Sequence, residues 1–426
     1  DGQYFTLGVS ADLCGPGGVT ASMVLWLRAD KQAYNTGTTQ ATDGQTVATW
    51  DDQSTGTNDA TADGNPPVFS DNSTDNINFL PTLTFDGADD RLSLGDFSEI
   101  KSGSSGNGDY SMFGVGVRDD ASTNYVLGSE GGTTNEDLHF GYRNSTQATV
   151  AHWGNDLNVT VNAFDSPTAP YVVGSTYDGS NRDLEELRSD DFNRASESES
   201  VDLSGSKTNY VGDVGTLTNY DGRISEVLVY DRAVTNIEKL RIYSYFSIKY
   251  GITPPVDNNL DLTLNQTISG SVSEGDLVAS NGTTIIWDYS DTDYDTYHNH
   301  MAGIGRDDNS CLNQKQSTSA TDGTILTMGL GSVAADNAAN GGILDNLDFL
   351  VWGNDNVNPN QATAAGDLTD LPSTVSERMR TVWKVEDTGT VGATEIQFDL
   401  SGLGYSSTAS DFRLIISNSS TMASGS

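Results

Sequence analysis

The chain is spelled almost entirely in short apolar runs bounded by Gly, Asn, Asp and Ser, a pattern that leaves little room for anything but a β protein. Such runs are Met23 to Leu27, Pro81 to Phe85, Arg91 to Leu94, Ser111 to Val117, Tyr125 to Gly128, Leu138 to Tyr142, Tyr171 to Tyr177 and Arg223 to Tyr230. In the last, Ile224, Val227 and Val229 are mixed with Ser225 and Glu226, as in a strand with one covered and one solvated side. Many strands at this spacing predict a sandwich.

One helix interrupts the pattern. Thr235 with Glu238 three residues later forms a capping box, and Ile237, Leu240, Tyr243, Phe246 and Tyr250 share a face. Gly251 supplies the stop, and Pro254 and Pro255 prevent a restart. The spacing predicts a helix over about 236–250 that packs on the sandwich edge and closes a first domain. Strand signals then resume at Leu260 to Leu264, Thr284 to Trp287, Thr324 to Leu330, Phe349 to Trp352, Thr381 to Val385, Thr394 to Leu400 and Phe412 to Ile416. Residues 336–342 and 354–370 read as polar, flexible loops. The expected organisation is an N-terminal extension over 1–15, a first β domain over 16–253 and a second all-β domain over 254–426, left incomplete at its C-terminus.

Sixty Asp and Glu against 21 Lys and Arg give a formal charge of −39, spread along the chain. Such a surface repels nucleic acid and anionic membranes, and no apolar run approaches membrane-spanning length, so neither nucleic-acid binding nor membrane insertion is expected. With 35% apolar and 8% aromatic residues in patterned runs, disorder is excluded; the acidity reads as solvation, with calcium as an additional use of some carboxylates. The two cysteines, Cys14 and Cys311, lack metal-type spacing. They bridge within the chain, pair between chains or stay reduced; export favours a bridge. The first residue is Asp1 rather than Met, which fits removal of a signal peptide, and the Ser-rich end hints at a longer precursor.

Several motifs carry a resemblance. Pro16-Gly-Gly-Val19, Leu25-Trp-Leu-Arg-Ala-Asp30, Trp50-Asp-Asp-Gln-Ser54, Asn58-Asp-Ala60, Pro81-Thr-Leu-Thr-Phe-Asp-Gly-Ala-Asp-Asp90, Asp221-Gly-Arg-Ile-Ser-Glu226 and Ile248-Lys-Tyr-Gly-Ile252 resemble, in order, the bacterial laminin-G-like (concanavalin A-like lectin/glucanase) domain. The later part is similar to an uncharacterised β domain of large exported surface proteins of marine Bacteroidetes-type bacteria. It does so through His298-Asn-His-Met-Ala-Gly-Ile-Gly-Arg-Asp-Asp308, Leu312-Asn-Gln-Lys-Gln316, Phe349-Leu-Val-Trp-Gly-Asn-Asp355 and Val382-Trp-Lys-Val-Glu-Asp-Thr-Gly389. The resemblance implies a jelly-roll sandwich followed by a second β sandwich, and secreted or cell-surface residence. It fixes no ligand.

Asp86, Asp89 and Asp90 sit on one turn around Gly87, a layout that gives calcium hard oxygen ligands on sharply bent backbone; an Asp-Gly turn with self-capping side chains is the competing reading. Asp221 and Glu226 are candidate contributors from a neighbouring strand end. A second acidic run, Asp288, Asp291, Asp293 and Asp295, lacks the glycine and terminal Glu of an EF-hand. His298 and His300 want further zinc ligands, so structural hydrogen bonding by one of them and exposure of the other is expected, and Arg306 should tie a turn.

A glucanase on such a sandwich needs two rigidly held carboxyls. Glu185-Glu186 and Glu197-x-Glu199 lie in sequence read as polar and flexible, so no catalytic residue and no enzyme activity is expected. Sugar binding uses exposed aromatic rings beside amide or charged groups. Trp26, Trp50, Trp287, Trp352 and Trp383 read as core, which leaves Trp153, with His152, Asn155 and Tyr142 beside it, as the candidate platform. The expected role is adhesion or scaffolding outside the cell through a glycan or a surface protein, with calcium as a structural ion. The alternatives are a subunit that self-associates into an extracellular filament or sheath, and an accessory carbohydrate-binding module for polysaccharide degradation.

Overall fold

The computed structural model describes residues 13–97, 99, 108–129, 131–132, 134–163, 169–188, 191–199, 201, 207–215, 219–256, 272–273, 275–291, 294, 296–321, 325–362, 377–401, 403 and 411–418. The strand expected over 260–264 and the carboxylates of Asp293 and Asp295 fall outside them.

The protein is all-β with one α-helix among the described residues. In the first half the strands are β1 (Met23–Arg28), β2 (Ala33–Thr36), β3 (Thr39–Gln40), β4 (Thr49–Trp50), β5 (Ala60–Ala62), β6 (Val68–Ser70), β7 (Thr82–Asp86), β8 (Leu92–Asp96), β9 (Tyr110–Arg118), β10 (Asn124–Ser129), β11 (His139–Asn144), β12 (Gln147–Ala151), β13 (Asp156–Thr160), β14 (Tyr171–Tyr177), β15 (Asn181–Arg188), β16 (Asp191–Ser198), β17 (Thr208–Val211) and β18 (Asp221–Tyr230). They form two antiparallel sheets. One runs β16-β15-β14-β9-β18-β7-β6, with β1 also pairing β18; the other runs β13-β12-β11-β10-β17-β8-β5-β4-β2-β3. Leu25, Trp50, Phe85, Tyr110, Phe140 and Val227 belong to the core these sheets enclose.

Helix α1 (Asn236–Tyr250) carries the expected capping box, and Gly251 ends it at φ 65°. It does not pack on an edge. It lies on the outer face of the first sheet, where Phe113 meets Tyr243 edge-on and also contacts Phe246. Its other side, with Tyr245 and Ile248, is covered by Val278, Ile286, Leu312 and Phe349 of the second half. This double coverage explains why Ile242, Tyr245 and Ile248 are buried as well as the stripe that periodicity identified.

The second half continues as β19 (Leu277–Val278), β20 (Ile285–Trp287), β21 (Asn299–Asp307), β22 (Leu312–Gln314), β23 (Gln316–Thr318), β24 (Leu326–Leu330), β25 (Phe349–Asn354), β26 (Gln361–Ala362), β27 (Arg378–Met379), β28 (Trp383–Thr388) and β29 (Thr394–Phe398). Its main sheets are β22-β21-β25-β28 and β23-β24-β29. A small core holds Ala302, Ile304, Leu326, Met328 and Trp352 between them. The loop 336–342 is pinned, not loose: Asn340 donates to Ser332 O at 2.7 Å and Asn337 to Asn313 O at 2.9 Å. Residues 412–416, expected as a strand, are not in one.

Several ties join the halves, among them hydrogen bonds from Asn78 to Ser317 and from Arg28 to Cys311 O. The hydrophobic cluster around α1 includes residues of both. Cys14 and Cys311 form an intrachain disulfide with Cα atoms 5.5 Å apart. The Pro16-Gly17-Gly18 turn is wedged against the helix; a Cβ on Gly17, at φ 63°, would stand 2.5 Å from the Arg241 carbonyl carbon, so only glycine fits.

Beneath the helix lies a buried polar network centred on Glu226, which has 0% exposure. Its carboxylate accepts from Trp26 Nε1 (2.6 Å), Tyr245 OH (3.0 Å), Lys249 Nζ (2.7 Å) and Tyr250 OH (2.5 Å). Lys249 also reaches Asp30 at 3.3 Å, and Asp30 holds Arg28. Glu226 is therefore not a metal ligand: four donors from the sheet and the helix consume it in the interior. A parallel pair, Lys239 to Glu185 at 2.7 Å with Tyr243 OH at 2.8 Å, fastens the helix to β15.

Removing one member of a buried ion pair strands the other charge, at a cost of about 3–5 kcal/mol, whereas an apolar replacement of both is close to neutral. Lys249→Met is accordingly expected to lower unfolding stability by that amount in guanidinium titrations, and Glu226→Leu/Lys249→Met to recover only part of it, because Trp26 Nε1 and the Tyr245 and Tyr250 hydroxyls then lose their acceptor. Intact mass under nonreducing conditions should show the two thiol protons missing in a monomer, and Cys14→Ser should lower the denaturation midpoint by removing a constraint worth up to about 5 kcal/mol.

Candidate functional site

The hairpin between β12 and β13 lifts Trp153 to the surface. Its ring is 36% exposed, against 1% or less for Trp26, Trp50, Trp287 and Trp352. Trp153 has φ 45° and Gly154 follows at φ 80°, so a bulky side chain is held in left-handed backbone, a conformation that persists only where the surroundings enforce it. The enforcement is visible. His152 N donates to Asn155 O (2.8 Å) and Asn135 N to His152 O (2.7 Å). Asn155 Nδ2 donates to Asn135 Oδ1 at 2.9 Å. The loop around Asn135 and the hairpin that carries Trp153 are thus laced together.

The ring is backed from below. His139 approaches it edge-on with centroids 6.0 Å apart and stacks in turn on Tyr125 at 5.0 Å. Burial, with the nearby Arg143 guanidinium adding to it, keeps the His139 imidazole below its usual pKa and so neutral at physiological pH. Arg182, fully buried, donates to Asn155 Oδ1 at 3.0 Å and fixes that amide from behind.

Two of the residues expected at this platform belong to the interior instead. His152 is completely buried, with Nε2 3.0 Å from Tyr110 OH and Nδ1 3.0 Å from Asp137 O. Burial and the Arg182 charge push its pKa down to about 3, so it stays neutral and holds the hairpin in place. Tyr142 lies between the sheets with the Arg118 guanidinium 3.7 Å above its ring and its hydroxyl donating to Glu186 Oε1 at 2.9 Å. Alternation along β11 turns Tyr142 inward; sequence proximity to Trp153 had hidden this. Asn135 and His139, which sequence reasoning missed, take their places. No local pattern marks them, because they come from a different loop and strand.

The expected carboxylate turn does assemble. Oxygens of Asp86, Asp89 and Asp90 lie within 4.8 Å of one another. Asp86 Oδ1 accepts from Ala88 N (2.8 Å), Asp89 Oδ2 from Asn65 Nδ2 (2.6 Å) and Asp90 Oδ2 from Asp86 N (2.9 Å), which leaves a second oxygen on each for a cation. Asp221 packs on the same turn: Gly87 is at φ 71°, and a Cβ there would come within 2.8 Å of the Asp221 Cβ. Burial and the neighbouring Asp86 and Asp89 charges push Asp90 up to about 6, and burial with Asp120, Asp119 and Asp86 raises Asp221. The donor set and the mutual repulsion suit a divalent cation. This cluster and Trp153 stand at opposite ends of the sandwich. Asp221 N bonds Asn124 at the start of β10, whereas His139, under the tryptophan, pairs with Gly128 near its end.

Glu185 and Glu186 are not in loose sequence; they lie side by side on β15, both 1% exposed. As neighbours on a strand they face opposite ways, Glu185 toward the helix and Glu186 toward Tyr142, so they share no groove. Burial raises the pKa of Glu186. In the second half His298 is buried with Nε2 3.3 Å from Pro254 O, and His300 contacts Thr321 and Asn356. Arg306 joins Asp308 (2.7 Å) and donates to Leu344 O (2.8 Å), tying the turn as expected.

Against known proteins, residues 238–426 match the family model of a domain of unknown function, DUF8202. The match begins inside α1. No curated protein matches the chain in sequence. Among solved structures, domain 4 of AbnA, a GH43 extracellular arabinanase from Geobacillus stearothermophilus, in complex with arabinotriose, is similar at 11% identity, TM-score 0.36, over 53% of this chain and 99% of that one. Trypanosoma rangeli sialidase is similar at 15% identity, TM-score 0.36, over 56% of this chain and 36% of that one; this chain thus spans about a third of the sialidase. A heptameric SAP-like pentraxin from Limulus polyphemus gives 12% identity and TM-score 0.27, over 38% and 81%.

The carboxylate turn has a definite pH signature. A carboxyl whose pKa is raised on folding favours the fold in its neutral form, so the Asp90 contribution is present below about 4 and is lost as pH rises through about 6. A bound cation cancels that loss. Calcium is therefore expected to raise the melting temperature more at pH 7 than at pH 5, and Asp90→Asn to remove most of the difference, as read by calorimetry with and without EDTA.

Proposed function

We propose that this chain is a non-catalytic, secreted attachment protein whose laminin-G-like first half holds a neutral glycan against Trp153. The observation that carries the reading is the exposed indole on strained backbone, clamped between loops that present Asn135 and Asn155. An exposed indole would stack on the apolar face of a sugar, with the Asn135 and Asn155 amides of the adjoining loops as candidate partners for its hydroxyls. The imposed left-handed conformation gives no folding advantage of its own, which favours a binding role for the ring. A net charge of −39 disfavours sulfated or uronic chains, so a neutral glycan is the chemistry that fits.

Calcium has a separate task in this reading. At the Asp86, Asp89 and Asp90 turn with Asp221 beside it, the ion would neutralise four crowded carboxylates and stiffen the strand ends, away from the ligand. Residence outside the cell fits the disulfide that links the two halves, because a bridge of this kind persists in oxidising surroundings.

A glycan array followed by titration calorimetry tests the proposal. Trp153→Ala should weaken binding of a neutral glycan by about tenfold or more, equivalent to about 1.4 kcal/mol, with an unchanged melting temperature. Raising salt should leave that affinity unaltered. A flat response to every neutral glycan, or equal binding by Trp153→Ala, would reject the platform.

A further inference from the structure

The two sheets of the second half are unequal in finish. Strands β21, β24 and β25 are largely buried, but β28 and β29 are the outer strands of their sheets and, among the described residues, pair with no further strand. Every residue of β29 after Thr394 is exposed, including Ile396 at 37% and Phe398 at 38%. Val385 on β28 is 44% exposed, and Trp383, on the same face, meets Phe398 edge-on at 5.8 Å. Trp383 Nε1 is buried without a hydrogen-bond partner among the described residues. The pieces form an apolar slot with a donor inside it and a sheet edge along it, which is a template for one more strand.

The same chain carries a segment of matching pattern. Phe412, Leu414 and Ile416 alternate with Arg413, Ile415 and Ser417, and their exposures are 37%, 56% and 71%. Laid antiparallel along β29 with Leu414 opposite Ile396, Phe412 falls opposite Phe398 and Ile416 opposite Thr394, so the apolar side chains share the slot face. On the other face Arg413 falls opposite Gln397, between Glu395 and Asp399, which offsets Asp411 opposite Asp399, while Ile415 falls opposite Glu395. Among the described residues β29 pairs only with β24, and residues 411–418 are in no strand.

We infer that residues 411–418 of one copy add as a strand to the β29 edge of a second copy, so that the protein associates head to tail through its second half. Edge and strand reside on every copy, and a heterologous contact of that type runs on into chains unless two copies reciprocate. Specific strand pairing is the kind of contact that a chain of −39 charge needs, since general surface association is opposed. The inference is independent of the Trp153 platform.

Light scattering on the full chain over a hundredfold concentration range, with hydrogen exchange read at 411–418 and 394–398, tests it. The expected result is a mass that rises to at least two chains, with both segments gaining protection together. Ile396→Asp and Leu414→Asp should each remain monomeric while keeping the melting temperature of the parent; because each retains one intact half, an equimolar mixture should yield heterodimers. A chain that stays monomeric at every concentration overturns the inference. So does protection of 411–418 in the monomer, which would place that strand on its own β29.

Discussion

The Glu226 carboxylate is the point on which the architecture hangs. It sits on the outer face of the first sheet, where a charge would be untenable unless covered, and its covering is the helix: Lys249, Tyr245 and Tyr250 descend on it from α1 while Trp26 reaches it from β1. An apolar sheet face would accept a helix in many positions. A buried carboxylate with four specified donors accepts one, and the helix so placed presents Arg241, Ser244 and Ile248 as the floor for the second half. The two halves share a core because one charge dictates how the helix between them is seated.

The motifs singled out in the sequence converge on this joint. Trp26, Arg28, Asp30, Glu226, Lys249 and Tyr250 all fall in motifs that carry the laminin-G-like resemblance, and they meet in one network. Asp52 of the Trp50 motif accepts from Trp26 N, and Trp50 Nε1 donates to Arg28 O, so a further motif supports the same place. These residues maintain a joint. The surface positions that would contact a ligand, Trp153, Asn135 and Asn155, lie outside the motifs.

Much of this was legible along the chain. The capping box of Thr235 and Glu238, the strand runs, and the burial of four of the tryptophans follow from local pattern, and the Asp86 to Asp90 turn is local by construction. One kind of failure concerns polar side chains. Glu226, Tyr142 and His152 were assigned by their neighbours in sequence to surface roles, yet strand alternation and long-range partners turn them inward. Glu185 and Glu186 looked loose because nothing in their own segment is apolar enough to mark burial; Lys239, Tyr243, Tyr142 and Asn193 from elsewhere make their burial affordable.

By itself the sequence determined the class of fold, the one helix with both its ends, the acidic surface and which tryptophan was spare, because each depends on periodicity, capping or composition within a few residues. Only the tertiary structure decided which carboxylates face water and which are consumed in the core, that Cys14 and Cys311 meet, and that Asn135 and His139 join Trp153. Those outcomes depend on groups tens to hundreds of residues apart arriving within hydrogen-bonding distance. A polar side chain carries no mark of its fate until its partner, or the lack of one, is in place.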